Sequence, residues 1–340
     1  GCYIEFQGHH CINCYGSIFA LGNSNDYIKF TIRDTTYFWE DTLSSRGGWG
    51  GIRLMNNPKA SSRFEYCQLE FAKKNRDNGD DICGGAIKAT NYGSLDIQHC
   101  YFCSNMVLTD SILVYPAMGA AIYCENTKRV YIAENHFIKN RSFNSGGAIH
   151  IDKGCKCAIT GNFFKNNSAI NYVFAGGFLW LGGRGGAVTT TDAFGESPEI
   201  SHNYCFNNKS ATGILYTSNK DAKIHDNVVC NNWGVGYFDG HQLSKSRVYN
   251  NTICNNDSQN GGIEINSQAR IYNNICAGNK AYPGQQNDQI DVEDASTLHE
   301  LFNNCVTYGN GGNQAVYGDP RLMEPSPGAG LHFDGSLYNW

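Results

Sequence analysis

The sequence predicts an all-β chain, a right-handed parallel β-helix of roughly ten stacked coils, because a repeat of this length cannot bury its apolar face alone. Three observations carry this expectation. A six-residue motif bounded by Asn recurs along the chain, a Gly-Gly motif recurs in the same phase, and the composition is rich in turn formers and poor in helix formers. Of 340 residues 39 are Gly, with Asn comparably frequent, while only 7 are Pro. Hydrophobic residues at 41% suffice for a continuous core, which argues against disorder.

The Asn motif reads NHFIKN from Asn135, NFFKNN from Asn162, NYCFNN from Asn203, NVVCNN from Asn227, NTICNN from Asn251 and NICAGN from Asn274. Subtracting successive positions gives spacings of 27, 41, 24, 24 and 23, so the unit is about 24 residues with one longer insertion after Asn162. The first Asn of each motif is expected at a turn, tolerating the left-handed backbone and bonding the same amide on the coils above and below. The Gly-Gly motif reads GGAIKA from Gly84, GAAIYC from Gly119, GGAIHI from Gly146, GGAVTT from Gly185 and GGIEIN from Gly261. Each is expected to place glycine at a corner and then enter a short strand whose side chains alternate between core and solvent. FEYCQLEF (64–71) and LDIQHCYF (95–102) read as degenerate copies of the Asn-bearing strand. A single domain follows: N-terminal coils over 1–63, regular coils with insertions over 64–310, and a closing segment over 311–340.

Charge excludes one class of partner. Lys and Arg total 26 against 31 Asp and Glu, a net −5, and no basic run could neutralise a row of phosphates, so nucleic acid is not an expected partner. No apolar stretch is long enough to span a bilayer. Fifteen cysteines cannot all pair within one chain. Cys11/Cys14, Cys100/Cys103 and Cys155/Cys157 are the only tight pairs, so no metal site is expected. Cys205, Cys230, Cys254, Cys276 and Cys305 recur once per repeat, as small buried residues stacked along the core would.

These motifs resemble the secreted right-handed parallel β-helix repeat proteins, the pectate-lyase-like superfamily in its broad sense. INCYGSIFALG (12–22), IKFTIRDTT (28–36) and GGWGGIRL (47–54) are similar to the first coils of Bacteroidetes-type surface members, and GDPRLMEPSPGAG (318–330) resembles the segment that ends their helix. The resemblance implies a secreted or cell-surface location. It leaves activity open, because the fold hosts lyases, hydrolases, epimerases, adhesins and spacers. The paired aspartates and the GHG and RIK elements of pectin hydrolases are missing, and Asp80-Asp81 reads as a solvated turn.

YFDGHQLSKSR (237–247) offers Asp239, His241, Lys245 and Arg247 as catalytic candidates; its simpler reading is a polar loop. Register offers a ligand-binding row instead. If Ile87, Ile149, Val188 and Ile263 face inward, Lys88, Tyr123, His150, Thr189, Tyr216 and Glu264 stack on one outer face, spaced for an extended sugar chain. Three insertions interrupt the period, 104–118, 170–184 and 233–246, and the second carries Tyr172, Phe174, Phe178 and Trp180, with Trp180 a further ligand candidate. The expected function is an extracellular module binding a polysaccharide or cell-surface glycan, or a rigid stalk, without catalysis. The alternatives are a polysaccharide lyase on an acidic glycan, for which Ca²⁺ would be the cofactor, and a self-associating filament module.

Overall fold

The computed structural model describes residues 1–75, 82–109, 117–175, 178–192, 195, 197–241, 245–258, 260–266, 268–280, 289–292, 300–307, 309 and 312–318, without the side chains of 172–181. Among the described residues there is no helix, and the strands stack into two long parallel sheets and one small antiparallel hairpin, the architecture of a parallel β-helix. Each coil crosses three faces. On the first face the Gly-Gly strands stack: Ile87, Ile122, Ile149, Val188, Leu215, Tyr237, Ile263 and Ile290 pair coil to coil in register and are buried. The second face follows after a bend, and in the early coils one long strand (Ile52–Glu65, Ile87–Gln98, Ile122–Ala133) runs through both. The third face is a twelve-stranded sheet that holds the Asn-bearing strands, from Tyr3–Phe6 to Val316–Tyr317.

One core runs the length of the stack. On the third face Phe102, Phe137 and Phe164 lie ring on ring at 5.0 and 4.9 Å, fully buried, each contributing about 1.5–3 kcal/mol by leaving water. Near the N-terminal end Trp49 stacks on Phe6 at 4.5 Å and its indole N–H donates to the Glu70 carbonyl at 2.7 Å. Beyond it Tyr3, Tyr15, Phe19 and Leu21 of the first coil are exposed.

Asn forms two ladders. At the first position Asn135, Asn162, Asn203, Asn227, Asn251, Asn274 and Asn304 are buried, and from Asn135 to Asn274 each side-chain N–H donates to the next amide oxygen at 2.9 or 3.0 Å. A second ladder joins Asn105, Asn140, Asn167, Asn208, Asn232, Asn256 and Asn279, and ends on Gln289. The left-handed turn residue is not the Asn itself. It is the residue before it: Glu134, Gly161, His202, Asp226, Asn250, Asn273 and Asn303 all have φ between 55° and 66°. The positive φ swings the following amide inward, where it caps the backbone of the preceding coil and bonds the amide oxygen of the next.

The first glycine of four of the five Gly-Gly motifs has φ near 64° (Gly84, Gly119, Gly146) or 61° (Gly185), and a Cβ there would overlap the carbonyl oxygen of Ile87, Ile122, Ile149 or Val188; Gly261 has φ 85°. The corner is too tight for a side chain.

Two sequence expectations are corrected. Residues Trp233–Asp239 are not part of a loop insertion but a first-face strand, with Tyr237 paired to Leu215 and Ile263. The cysteines do not form one column: Cys205 and Cys276 face the core, whereas Cys230 and Cys254 pack outside it with Phe206 and Ala277. Their motifs place Cys one position later, and a one-residue shift in a strand turns the side chain to the other face. Cys305 is half-buried, opposite Ile275 on an outward row.

The 41-residue spacing contains the hairpin Asn171–Ala175 and Phe178–Gly182, in which Val173 pairs with Trp180. The side chains of Tyr172, Phe174, Phe178 and Trp180 lie outside the described residues, as do Asp80, Asp81 and all of the closing motif after Gly318. No described helix is long and apolar enough to cross a membrane.

Candidate functional site

The first-face row assembles in the expected register. Lys88, Tyr123, His150, Thr189 and Tyr216 are successive partners, Phe238 follows, and Glu264 follows that. Arg53 precedes the row and Asp291 ends it, so it runs from cationic to acidic along the axis. It is not an open surface. Tyr123, His150, Thr189, Tyr216 and Glu264 are buried, and Lys88, Phe238 and Asp291 are half-buried.

The Gly-Gly corners contribute to the burial, because they curl back over the row. A Cβ on Gly84 would meet Lys88 and one on Gly146 would meet His150; a Cβ on Gly119 would also meet His150, and one on Gly185 would meet Thr189. Residues flanking the row then supply its polar partners. Tyr123 stacks on His150 at 5.6 Å and its hydroxyl donates to Asp152 at 3.2 Å. His150 Nδ1 lies 3.1 Å from the Ser145 hydroxyl, and Arg184 sits over the Tyr216 ring. Burial pushes the His150 imidazole down to about 4, with Asp152 opposing and Arg184 reinforcing. It pushes the Tyr123 and Tyr216 phenols up.

The four catalytic candidates separate. Asp239 is the third residue of a first-face triplet, in the inward column of Thr190, Thr217 and Ile265, and is fully buried. The His241 backbone N–H donates to its carboxylate at 3.2 Å, and Thr217 shares a 2.7 Å hydrogen bond with Tyr237 beside it. Lys245 and Arg247 lie past the next bend, on the second face, in a cleft of about 520 Å³ lined also by Asp221, Arg270 and Glu300. A second cleft of about 730 Å³ lies further up the same face, lined among others by Asp96, Arg129, Lys156, Glu199 and Lys223. Both include Ser197, so together they form a groove along the stack.

Short strands build this groove. In Glu199–Ser201, Lys223–His225, Arg247–Tyr249, Arg270–Tyr272 and Glu300–Phe302 the central aliphatic residue faces inward, which turns both flanking residues outward. One outward row is charged: Glu199, Lys223, Arg247, Arg270, Glu300, in strict register. Glu199 pairs with Lys223 at 3.9 Å and Glu300 with Arg270 at 2.9 Å. Among the described residues Arg247 and Lys245 have no such counter-ion, which leaves the centre of the cleft cationic.

The other outward row is His225, Tyr249, Tyr272 and Phe302, stacked at 4.7, 5.1 and 5.0 Å with ring planes within 6°. Sequence reasoning missed this ladder, although its signal was present. An aromatic or His stands two residues before the first Asn in KIHDN, RVYNN, RIYNN and ELFNN (223–227, 247–251, 270–274, 300–304). Because the rings cover each other's faces, the ladder shows edges and hydroxyls rather than a flat stacking platform. Burial within it raises the Tyr249 phenol, helped by Tyr272, Asp226 and Glu199.

Fold and groove together define a parallel β-helix solenoid with a charged furrow on its second face. No protein-family model matches the chain, and no curated protein matches it.

Proposed function

We propose that the protein is an extracellular or cell-surface β-helix module that binds an acidic glycan along its second face without transforming it. The observation that supports this reading most is the cationic centre of the groove, where Lys245, Arg247 and Arg270 line one cleft. Lys223, Arg247 and Arg270 repeat at the strand spacing of about 4.8 Å, which suits uronate or sulfate groups on an extended polymer better than a compact metabolite. The motif resemblance to secreted pectate-lyase-like members, and to Bacteroidetes-type surface proteins among them, supports the location.

A lyase is the second reading, favoured by Lys245 and Arg247 sharing their cleft with Asp221 and Glu300. Lyase chemistry needs a base beside the sugar and charge neutralisation of the uronate. One experiment separates the readings: affinity gels containing acidic or neutral polysaccharides, with unsaturated products read in parallel, with and without Ca²⁺. Retardation by an acidic polymer that falls at least tenfold in Arg247→Ala, with no product, is the expected result. Product formation would overturn the non-catalytic reading. Silence on every polymer would overturn glycan binding and leave a stalk.

A further inference from the structure

At the corner between the second and third faces three side chains from two adjacent coils converge. His202 and Asp226 occupy successive positions of the left-handed corner row, with φ 56° and 55°, and His225 ends the neighbouring second-face strand. One donor atom from each lies within 4.8 Å of the others. Asp226 Oδ2 is 2.8 Å from His225 Nδ1 and 3.8 Å from His202 Nε2. On the opposite edge of the His225 ring, Nε2 lies 3.5 Å from Glu199 Oε1.

We propose that His202, His225 and Asp226 form a binding site for a divalent transition-metal ion of the zinc type. Two imidazoles and one carboxylate suit Zn²⁺, Co²⁺, Ni²⁺ or Cu²⁺, and disfavour Ca²⁺ and Mg²⁺, which take oxygen ligands. The ring of His225 is already held: Tyr249 stacks on it at 4.7 Å and 6°, so it loses little freedom on binding. Glu199 supplies the outer partner that metal-bound histidines ordinarily have. Without an ion the 2.8 Å contact is Nδ1–H donating to the Asp226 carboxylate; an ion would take the place of that proton, and the ring's remaining N–H, at Nε2, would face Glu199 at 3.5 Å. Exposure is graded accordingly, 12% for the His225 side chain, 35% for Asp226 and 62% for His202, so the site opens to solvent on the His202 side. Three protein ligands leave at least one coordination position for water or a ligand atom. Glu199 also lines the groove, which puts the ion at the groove's edge.

The corner geometry explains why the site assembles without a loop. Positive φ on consecutive coils brings equivalent side chains to the strand spacing, about 4.8 Å, which donor atoms can close to a shared ion by small rotations. His and Asp are among the residues that tolerate this backbone.

The test is titration of the full chain with Co²⁺ alone, followed by calorimetry and by the visible absorption bands of the ion. Iodoacetamide treatment first blocks exposed thiols such as Cys2. The expected result is one equivalent bound with bands of nitrogen and oxygen ligation and no thiolate charge-transfer band. His202→Asn and Asp226→Asn, both compatible with positive φ, should each weaken binding at least tenfold, and Glu199→Gln between about ten- and a hundredfold. Unchanged far-ultraviolet circular dichroism of the metal-free variants establishes that they fold. No saturable binding, or binding that both Asn variants retain, would overturn the site.

Discussion

Asn227→Ala tests whether the amide ladders hold the stack together. The native side chain takes part in five hydrogen bonds. Its N–H group donates to Asn251 Oδ1 at 3.0 Å, to the Ile200 carbonyl at 2.9 Å and to the His225 carbonyl at 3.0 Å. Its oxygen accepts from the Asn203 backbone N–H and side-chain N–H, both at 3.0 Å. Truncation leaves the Asn203 backbone N–H without this acceptor in a site with no solvent access, while the Asn203 side chain keeps its bond to the Ile159 carbonyl. An orphaned buried donor costs about 1–3 kcal/mol and each further lost bond about 1 kcal/mol net, giving on the order of 4 kcal/mol once partial relaxation is allowed. Urea unfolding followed by circular dichroism measures the loss, with Asn250→Ala as a corner control. A loss under about 1 kcal/mol in Asn227→Ala would refute the reasoning, because relaxation or water would then be replacing the ladder.

Three further outcomes are expected. His150 is held near 4 in the folded protein against 6.5 in the open chain, so between those values the unfolded state binds the extra proton; stability is full above pH 6.5 and falls by on the order of 3 kcal/mol as pH drops toward 4. His150→Gln should flatten that slope in urea midpoints measured from pH 7 to 4, and an unchanged slope would sink the assignment. Gly146→Ala places a Cβ against the Ile149 carbonyl at φ 64°, and should cost at least about 1–2 kcal/mol in the same assay, whereas Ala at an extended position should not. Arg247→Glu reverses the centre of the groove, so retardation by an acidic polysaccharide should vanish while the unfolding midpoint shifts by no more than about 0.5 kcal/mol, as expected for an exposed charge; retained binding would place the ligand elsewhere.

The fold was legible because stacking constrains the same positions on every coil. Asn at the corner and Gly before the strand answer local backbone demands, and such demands repeat in the sequence. The first-face register was also readable from alternation, and Lys88, Tyr123, His150, Thr189 and Tyr216 do align. Their burial was not readable, because the recurring glycines mark the corners but not which side chains the corners and neighbouring coils cover, which is a matter of packing between coils. The placement of Asp239 failed for a related reason. GVGYFD (234–239) lacks a Gly-Gly-Ile signature and so looked like a loop, yet it keeps the strand alternation and sends its carboxylate inward. His202, His225 and Asp226 were invisible as a set because they meet only when coils 24 residues apart are laid side by side.

The ladders also determine where the stack would part under mechanical load. Each interior amide grips the coil behind it and the coil ahead, so no seam within the laddered region is weaker than its neighbours. At the N-terminal side the first ladder is continued by thiols: Cys67 and Cys100 take the Asn position, and the Cys67 backbone N–H reaches Cys100 Sγ at 3.3 Å. The second ladder begins only at Asn105. A pull along the axis should therefore peel away the coils preceding Cys100 at a lower force, and leave the amide-bound remainder to rupture later as a separate event.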